Sequence, residues 1–214
     1  MYPLGMTRPL AVAVTLATLA APSAAHAASL STDPAKPCYR SGETVNFVGS
    51  GFMPSSTANL TRDGVFVSPI PTDVSGQFSA GLRLTQDTGS QIRTYTATDA
   101  NNPVLTASVP VTVTAVGVSL APQNGSVSRR FRIRARGFTT GDILWAHIVH
   151  PRSKRHVKIG ALKGACHNLR ARMRLLPRNA RLGRHRIQFD TFRRYKADRP
   201  VKTVYTIRVV RGDR

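Results

Sequence analysis

The chain has 214 residues, and its 31 Lys and Arg against 10 Asp and Glu give a formal net charge of +21. The charge is uneven: residues 29–115 hold five basic and six acidic side chains, whereas residues 116–214 hold 25 basic and four acidic ones. The neutral first half excludes a general bias towards arginine as the explanation for the basic second half.

The N-terminus has the three parts of a secretory signal peptide. Arg8 precedes an apolar run from Pro9 to Ala21, and small residues lead to Ala25-His26-Ala27, an A-x-A cleavage site. We therefore predict a signal peptide over residues 1–27, with cleavage after Ala27. The apolar run is too short to span a bilayer, and no later stretch replaces it. The expected product is secreted and extracellular, without a transmembrane anchor, and is either free or retained at the cell wall.

Two halves of the remaining chain follow one pattern. Residues 45–52 and 131–138 are alternating strands that end in a Gly-Phe step, and residues 78–84 and 169–175 have apolar side chains at every second position. Strands of this kind bury one face best against a second sheet. The sequence predicts an all-β protein of two tandem β-sandwich domains, 28–115 and 116–214.

The first domain carries a family resemblance. Ser41-Gly42-Glu43-Thr44-Val45, Gly49-Ser50-Gly51-Phe52-Met53-Pro54 and Gly76-Gln77-Phe78 resemble the secreted immunoglobulin-like repeat proteins of Gram-positive bacteria. The second domain keeps the Gly-Phe step but has Thr140-Gly141 in place of the proline. The resemblance implies immunoglobulin-like sandwiches that serve as spacers, adhesins or ligand-binding units, and the fold alone does not choose among these.

The two cysteines, Cys38 and Cys166, fall one in each domain of an exported chain. In immunoglobulin-like topology both lie near the end of their domain that faces the junction. With a linker as short as 114–118, the two thiols can meet, and a disulfide there would clamp the interdomain angle. Free thiols and an intermolecular bridge are the alternatives.

Two strands of the second domain alternate arginine with apolar residues. Because side chains alternate across a sheet, the apolar residues direct the arginines outward, and the two strands are neighbours in this topology. The predicted ligand-binding arginines are Arg132, Arg134, Arg136, Arg170, Arg172 and Arg174. Guanidinium groups suit phosphate and carboxylate oxygens, so the predicted partners are anionic polymers: teichoic acid, acidic polysaccharide, nucleic acid or anionic lipid head groups. A solvated basic face without a specific ligand is the alternative.

Trp145 is the single tryptophan, and its strand permits two registers. Alignment with the first domain turns Leu144 and Ala146 inward, so that Trp145 faces outward as a stacking platform for a sugar or base. The reversed register makes Trp145 the core tryptophan common in such sandwiches, and we prefer it on that ground.

No cofactor, metal or catalytic signature stands out. His147 and His150 are three residues apart, on opposite faces of a strand, so we expect exposed or loop histidines rather than a metal site. The histidines of the mature chain are His147, His150, His156, His167 and His185. Neither domain shows a nucleophile elbow or paired carboxylates, and Arg211-Gly212-Asp213 is a chance match in so arginine-rich a chain.

The sequence thus predicts a secreted, non-enzymatic pair of modules whose basic second domain binds anionic polymers of the cell surface. A structural or adhesion spacer with no specific ligand site is the alternative.

Overall fold

The computed structural model describes residues 27–150 and 153–211. The predicted signal peptide lies outside these residues except for Ala27, and so do Gly212 and Asp213. The described residues form sixteen β-strands and no helix, and hence no helix that could cross a membrane. The predicted all-β fold of two β-sandwich domains is confirmed.

The first domain consists of a three-stranded and a five-stranded sheet. Its strands are β1 (Ser29–Asp33), β2 (Tyr39–Arg40), β3 (Thr44–Ser50), β4 (Thr57–Arg62), β5 (Val65–Pro71), β6 (Phe78–Arg83), β7 (Ser90–Asp99) and β8 (Thr106–Thr114). The small sheet has the order β1-β3-β6, and the large one has the order β2-β8-β7-β4-β5. Their pairings are antiparallel except for the short parallel contact between β2 and β8.

The second domain repeats this topology. Its strands are β9 (Gly117–Ala121), β10 (Asn124–Gly125), β11 (Arg130–Arg136), β12 (Ile143–His150), β13 (Ser153–Ala161), β14 (Leu169–Arg174), β15 (Gly183–Asp190) and β16 (Thr203–Val209). The sheet orders are β9-β11-β14 and β10-β16-β15-β12-β13. A residue of one domain therefore has a structural counterpart in the other.

Each domain has a core of its own between its two sheets. In the first, Phe47 of β3 packs against Tyr95 of β7 with ring centroids 4.6 Å apart, and both are buried. In the second, Phe131 and Ile133 of β11 share a buried cluster with Phe189 of β15. The alternation seen in the sequence decides which residues enter these cores, since successive strand side chains point to opposite faces.

The Gly-Phe step after β3 and β11 has a steric reason in both domains. Gly51 and Gly137 share a φ of +76°, a left-handed conformation that disfavours other residues. A Cβ at Gly51 would lie 2.7 Å from the carbonyl oxygen of Ala27, and one at Gly137 would lie 2.8 Å from that of Ala115. The segment entering each sandwich therefore passes directly over its glycine.

A disulfide joins Cys38 to Cys166 across the two domains, with their Cα atoms 5.2 Å apart. Cys38 precedes β2, Cys166 lies in the turn before β14, and both are buried. The Cys166 carbonyl also accepts a hydrogen bond from the Gly137 backbone N–H. The predicted interdomain disulfide is confirmed.

Candidate functional site

The outer side of the small sheet in the second domain is covered by arginine. We call this surface the arginine face. It consists of Arg130, Arg132, Arg134, Arg136, Arg170, Arg172 and Arg174, all of them exposed. The structure thus adds Arg130 to the residues selected from the sequence. The residues between them on β11, Phe131, Ile133 and Ala135, are buried in the core.

The register of β11 and β14 sets arginine directly opposite arginine. Arg130 pairs with Arg174, Arg132 with Arg172 and Arg134 with Arg170. Along each strand the arginine positions recur at about 6.8 Å, twice the rise per strand residue. Like charges opposite each other destabilise a sheet. Among the ion pairs between described residues, none includes an arginine of this face.

The first domain has the counterpart surface with a single cation. On β3 and β6 the paired counterparts are Thr44 with Arg83, Asn46 with Gly81 and Val48 with Ser79. Arg83 is the one cation in this set. The arginines are therefore not a requirement of the sheet, because the same register folds with small and polar side chains in the first domain.

One end of the arginine face borders the domain junction. An open cleft of about 460 Å³ lies there between Gly89 and Ser90 of the first domain and residues of the second. Arg134, Arg136 and Arg170 all line it. The Ala115 N–H donates to the Gly89 carbonyl at this point, and the disulfide holds the same two domains together.

Trp145 does not enter the core. Leu144 and Ala146 are fully buried among the core residues, whereas Trp145 is half-buried on the opposite face of the large sheet. The preferred core position for Trp145 is therefore wrong, and the register from the repeat alignment is the one adopted. The counterpart of Trp145 in the first domain is Asn59, since Trp145 pairs with Asp190 as Asn59 pairs with Thr98.

Next to Trp145, on the same face of the sheet, lies a chain of polar groups that the sequence did not reveal. The Nε2 atom of His147 donates to the Oδ1 atom of Asp190 at 3.1 Å, and both side chains are fully buried. The Nδ1 atoms of His147 and His156 share a hydrogen bond of 2.8 Å. The expectation that the histidines are exposed is wrong for His147 and also for His185, which is 5% exposed.

The loop after β15 explains the burial of His147. Residues 191–202 connect β15 to β16, whereas residues 100–105 suffice between β7 and β8. The longer loop is tied to the sheet because Gln188 Nε2 donates to the Lys196 carbonyl and the Phe192 N–H donates to Asp190. The ring of Tyr195 packs against His147 with centroids 5.8 Å apart. In the first domain the same face bears paired hydroxyls, such as Thr96 with Ser108.

The polar chain changes the protonation of its members. Burial raises the pKa of Asp190, but hydrogen bonds from His147, Gln188 and the Phe192 N–H outweigh it and bring this pKa below the ordinary value of 3.8. Loss of hydration lowers the pKa of His156 below 6.5, the electrostatic effects of His147 and Lys154 act in the same direction, and that of Asp190 opposes them. Asp190 is therefore an ionised carboxylate at neutral pH.

A second open cleft, of about 650 Å³, lies beside this chain. We call it the tryptophan cleft, and it is lined by Trp145, His156, Lys158, Arg193 and Arg194. Lys158 stands opposite Trp145 in the pairing of β12 with β13, and the two arginines come from the long loop. Sequence reasoning selected Trp145 but missed the other four. Among the described residues, no group of three or more His, Cys, Asp or Glu side chains is arranged to hold a metal ion.

Comparison with known proteins gives no family. No family model matches the chain, and no curated protein matches it. Among solved structures, it is similar to a putative membrane-anchored protein from Corynebacterium diphtheriae, with 9% identity over 86% of this chain and 57% of that one, at a TM-score of 0.36. It is also similar to a tetra-tandem repeat in the extending region of a large adhesion protein, with 12% identity over 86% of this chain and 49% of that one, at a TM-score of 0.31.

The chain thus spans about half the length of these two proteins.

Proposed function

We propose that the protein is an exported, non-enzymatic binding module whose second domain binds anionic polymers through the arginine face. The observation that carries the proposal is the register of β11 and β14, which opposes three pairs of exposed arginines with no carboxylate between them. Such an arrangement costs free energy in the absence of an anion. A ligand with repeated phosphate or carboxylate groups relieves the repulsion and accepts bidentate hydrogen bonds from the guanidinium groups.

The junction cleft supports the same function. It continues the arginine face past Arg134 and Arg136 towards the first domain, so a polymer lying along the strands has a concave end to enter. The first domain adds little charge of its own. Its role in this proposal is to space or orient the basic domain, and the disulfide maintains that orientation.

Export of the chain agrees with the disulfide, because disulfides persist in oxidising compartments outside the cytosol. Partners that such a protein meets are teichoic acid, acidic polysaccharide, nucleic acid and anionic lipid head groups. All of these present phosphate or carboxylate oxygens, and the arginine face has no aromatic row that would read bases.

A salt titration of binding tests the proposal. The full-length protein is titrated with purified teichoic acid and with DNA at increasing salt, alongside a variant with Arg132, Arg134, Arg170 and Arg172 all changed to Gln. If each of these arginines neutralises one phosphate, the slope of log K against log salt falls by about 3–4 for double-stranded DNA.

The matched control changes Arg178, Arg181, Arg184 and Arg186 to Gln. These residues are exposed and lie outside the arginine face, so the net charge falls by the same amount. We expect the control variant to keep most of the affinity. Equal losses in both variants would mean that binding follows net charge alone, and unchanged binding in the first variant would reject the arginine face as the site.

The alternative function is a spacer with no specific ligand. The disulfide between Cys38 and Cys166 favours it, because a fixed angle between two sandwiches suits a stalk. A spacer would bind neither teichoic acid nor DNA at physiological salt, so the same titration separates the two functions.

A further inference from the structure

We propose that the tryptophan cleft is a second binding site, distinct from the arginine face, for a saccharide that carries a phosphate or carboxylate group. The cleft lies on the large sheet, whereas the arginine face lies on the small one. Its volume of about 650 Å³ is in the usual range for small-molecule sites.

The positive charge of the cleft favours an anionic ligand. Lys158, Arg193 and Arg194 are all exposed, and none of the five lining residues is acidic. The nearest carboxylate in the polar chain, Asp190, is fully buried and already accepts hydrogen bonds from three donors. The cations of the cleft therefore have no carboxylate from the cleft itself to neutralise them, and a phosphate or carboxylate of a ligand suits them.

Trp145 adds a preference for a ring. It is half-buried and stands beside Lys158 in the sheet, so its indole is held in place while part of it remains accessible. An indole in this position stacks against the apolar face of a sugar or against a base. The counterpart Asn59 in the first domain offers no such surface.

The polar chain decides between a sugar and a simple anion. Asp190 accepts the Nε2 proton of His147, so with one proton on each ring the Nδ1 atom of His147 accepts from the Nδ1–H of His156. The Nε2 atom of His156 is then a hydrogen-bond acceptor. A ligand that displaces water from this acceptor must offer a donor in its place, and the hydroxyl groups of a saccharide supply it.

The cleft is also preformed. The loop that contributes Arg193 and Arg194 is fixed on both sides, by the Phe192 N–H bonded to Asp190 and by the Lys196 carbonyl bonded to Gln188. A ligand therefore does not have to order this loop on binding, which lowers the entropic cost of association.

The emission of Trp145 gives a direct assay, because it is the single tryptophan of the chain. The full-length protein is titrated with glucose 6-phosphate and with glucuronate, and glucose and uridine 5′-monophosphate serve as comparisons. We expect a saturable change in emission with the two charged saccharides and at least about a tenfold weaker response to glucose, since one lost charge-assisted contact accounts for a factor of that size.

Three variants localise the site. Changing Arg193 and Arg194 together to Gln is expected to weaken binding of glucose 6-phosphate about tenfold or more, whereas the exposed pair Arg178 and Arg181 changed to Gln leaves it unaltered. His156→Phe keeps a ring in the cleft but removes the acceptor. It should weaken binding of glucose 6-phosphate while leaving unchanged the weak binding of sulfate, an anion with no hydroxyl donor at neutral pH.

Several results would overturn the proposal: no saturable change with either charged saccharide, equal binding of glucose, binding of the nucleotide alone, or retained affinity in the variant lacking Arg193 and Arg194. The variant with Arg132, Arg134, Arg170 and Arg172 changed to Gln separates the two sites. If it loses polymer binding but keeps the saccharide response, both assignments stand. If the wild-type protein binds no polymer, the arginine face is rejected, and the saccharide titration alone tests the tryptophan cleft.

Discussion

Replacement of Asp190 by Asn probes the buried polar chain of the second domain. Asp190 is fully buried, and its two oxygens have different partners. Oδ1 accepts from His147 at 3.1 Å and from the Phe192 N–H at 2.8 Å, whereas Oδ2 accepts from Gln188 Nε2 at 2.7 Å. Asn keeps one oxygen for the first two donors and places an amide N–H₂ against the amide of Gln188.

Gln188 cannot resolve this conflict by turning over. Its Nε2 atom also donates to the Lys196 carbonyl at 2.8 Å, and its Oε1 atom has no hydrogen-bond partner among the described residues. A flip would bring Oε1 against that carbonyl. The substitution therefore loses a charge-assisted hydrogen bond and leaves a buried donor unsatisfied, which together cost about 3–5 kcal/mol of unfolding free energy.

Urea unfolding followed by Trp145 emission measures this cost in the second domain specifically. Asp198→Asn is the control, because Asp198 is an exposed carboxylate of the same loop. The pKa of Asp190 is lowered in the folded protein, so its contribution is complete above the ordinary value of 3.8 and is lost as the pH falls through the folded pKa. The difference between wild type and Asp190→Asn should therefore shrink in acid.

A loss within about 0.5 kcal/mol, the usual range for a surface substitution, would refute this reasoning. So would a difference between the two proteins that does not change with pH. The first result would mean that the chain from Asp190 to His156 adds nothing to the stability of the domain, and the second that the charge of Asp190 adds nothing to it.

Three further predictions concern the junction, the arginine face and the histidine chain. With Cys38 and Cys166 changed to Ser, circular dichroism should show both sandwiches still folded, because their cores are separate, and limited proteolysis should cut the linker faster. Joint unfolding of both domains would contradict this prediction. Arg132→Gln with Arg172→Gln should raise the unfolding free energy at low salt by about 0.2–1 kcal/mol, and thermal unfolding should show that salt removes the gain. The imidazole of His156 should titrate by NMR below 6.5, and a midpoint above that value would contradict the geometry of the chain.

Much of the architecture follows from local pattern. Strict alternation on β11 and β14 determines that Phe131 and Ile133 face inward and the arginines outward, since side-chain direction in a strand has a period of two. The internal repeat predicts the two sandwiches, and it also provides the correct register for Leu144 and Ala146. The general preference for a core tryptophan pointed the other way and was wrong, because Asn59 already shows that this position faces outward.

The covering of a face was decided by tertiary structure. Outer faces of a sandwich usually meet solvent, and His147 was among the histidines expected to be exposed or to lie in loops. It is buried because residues 191–202 fold over the sheet and because β15 brings Asp190, 43 residues further along the chain, within hydrogen-bonding distance. Alternation specifies which face a side chain takes, but it contains no information on which distant loop lies over that face. For that physical reason the sequence determined the arginine face, and only the folded chain revealed the tryptophan cleft.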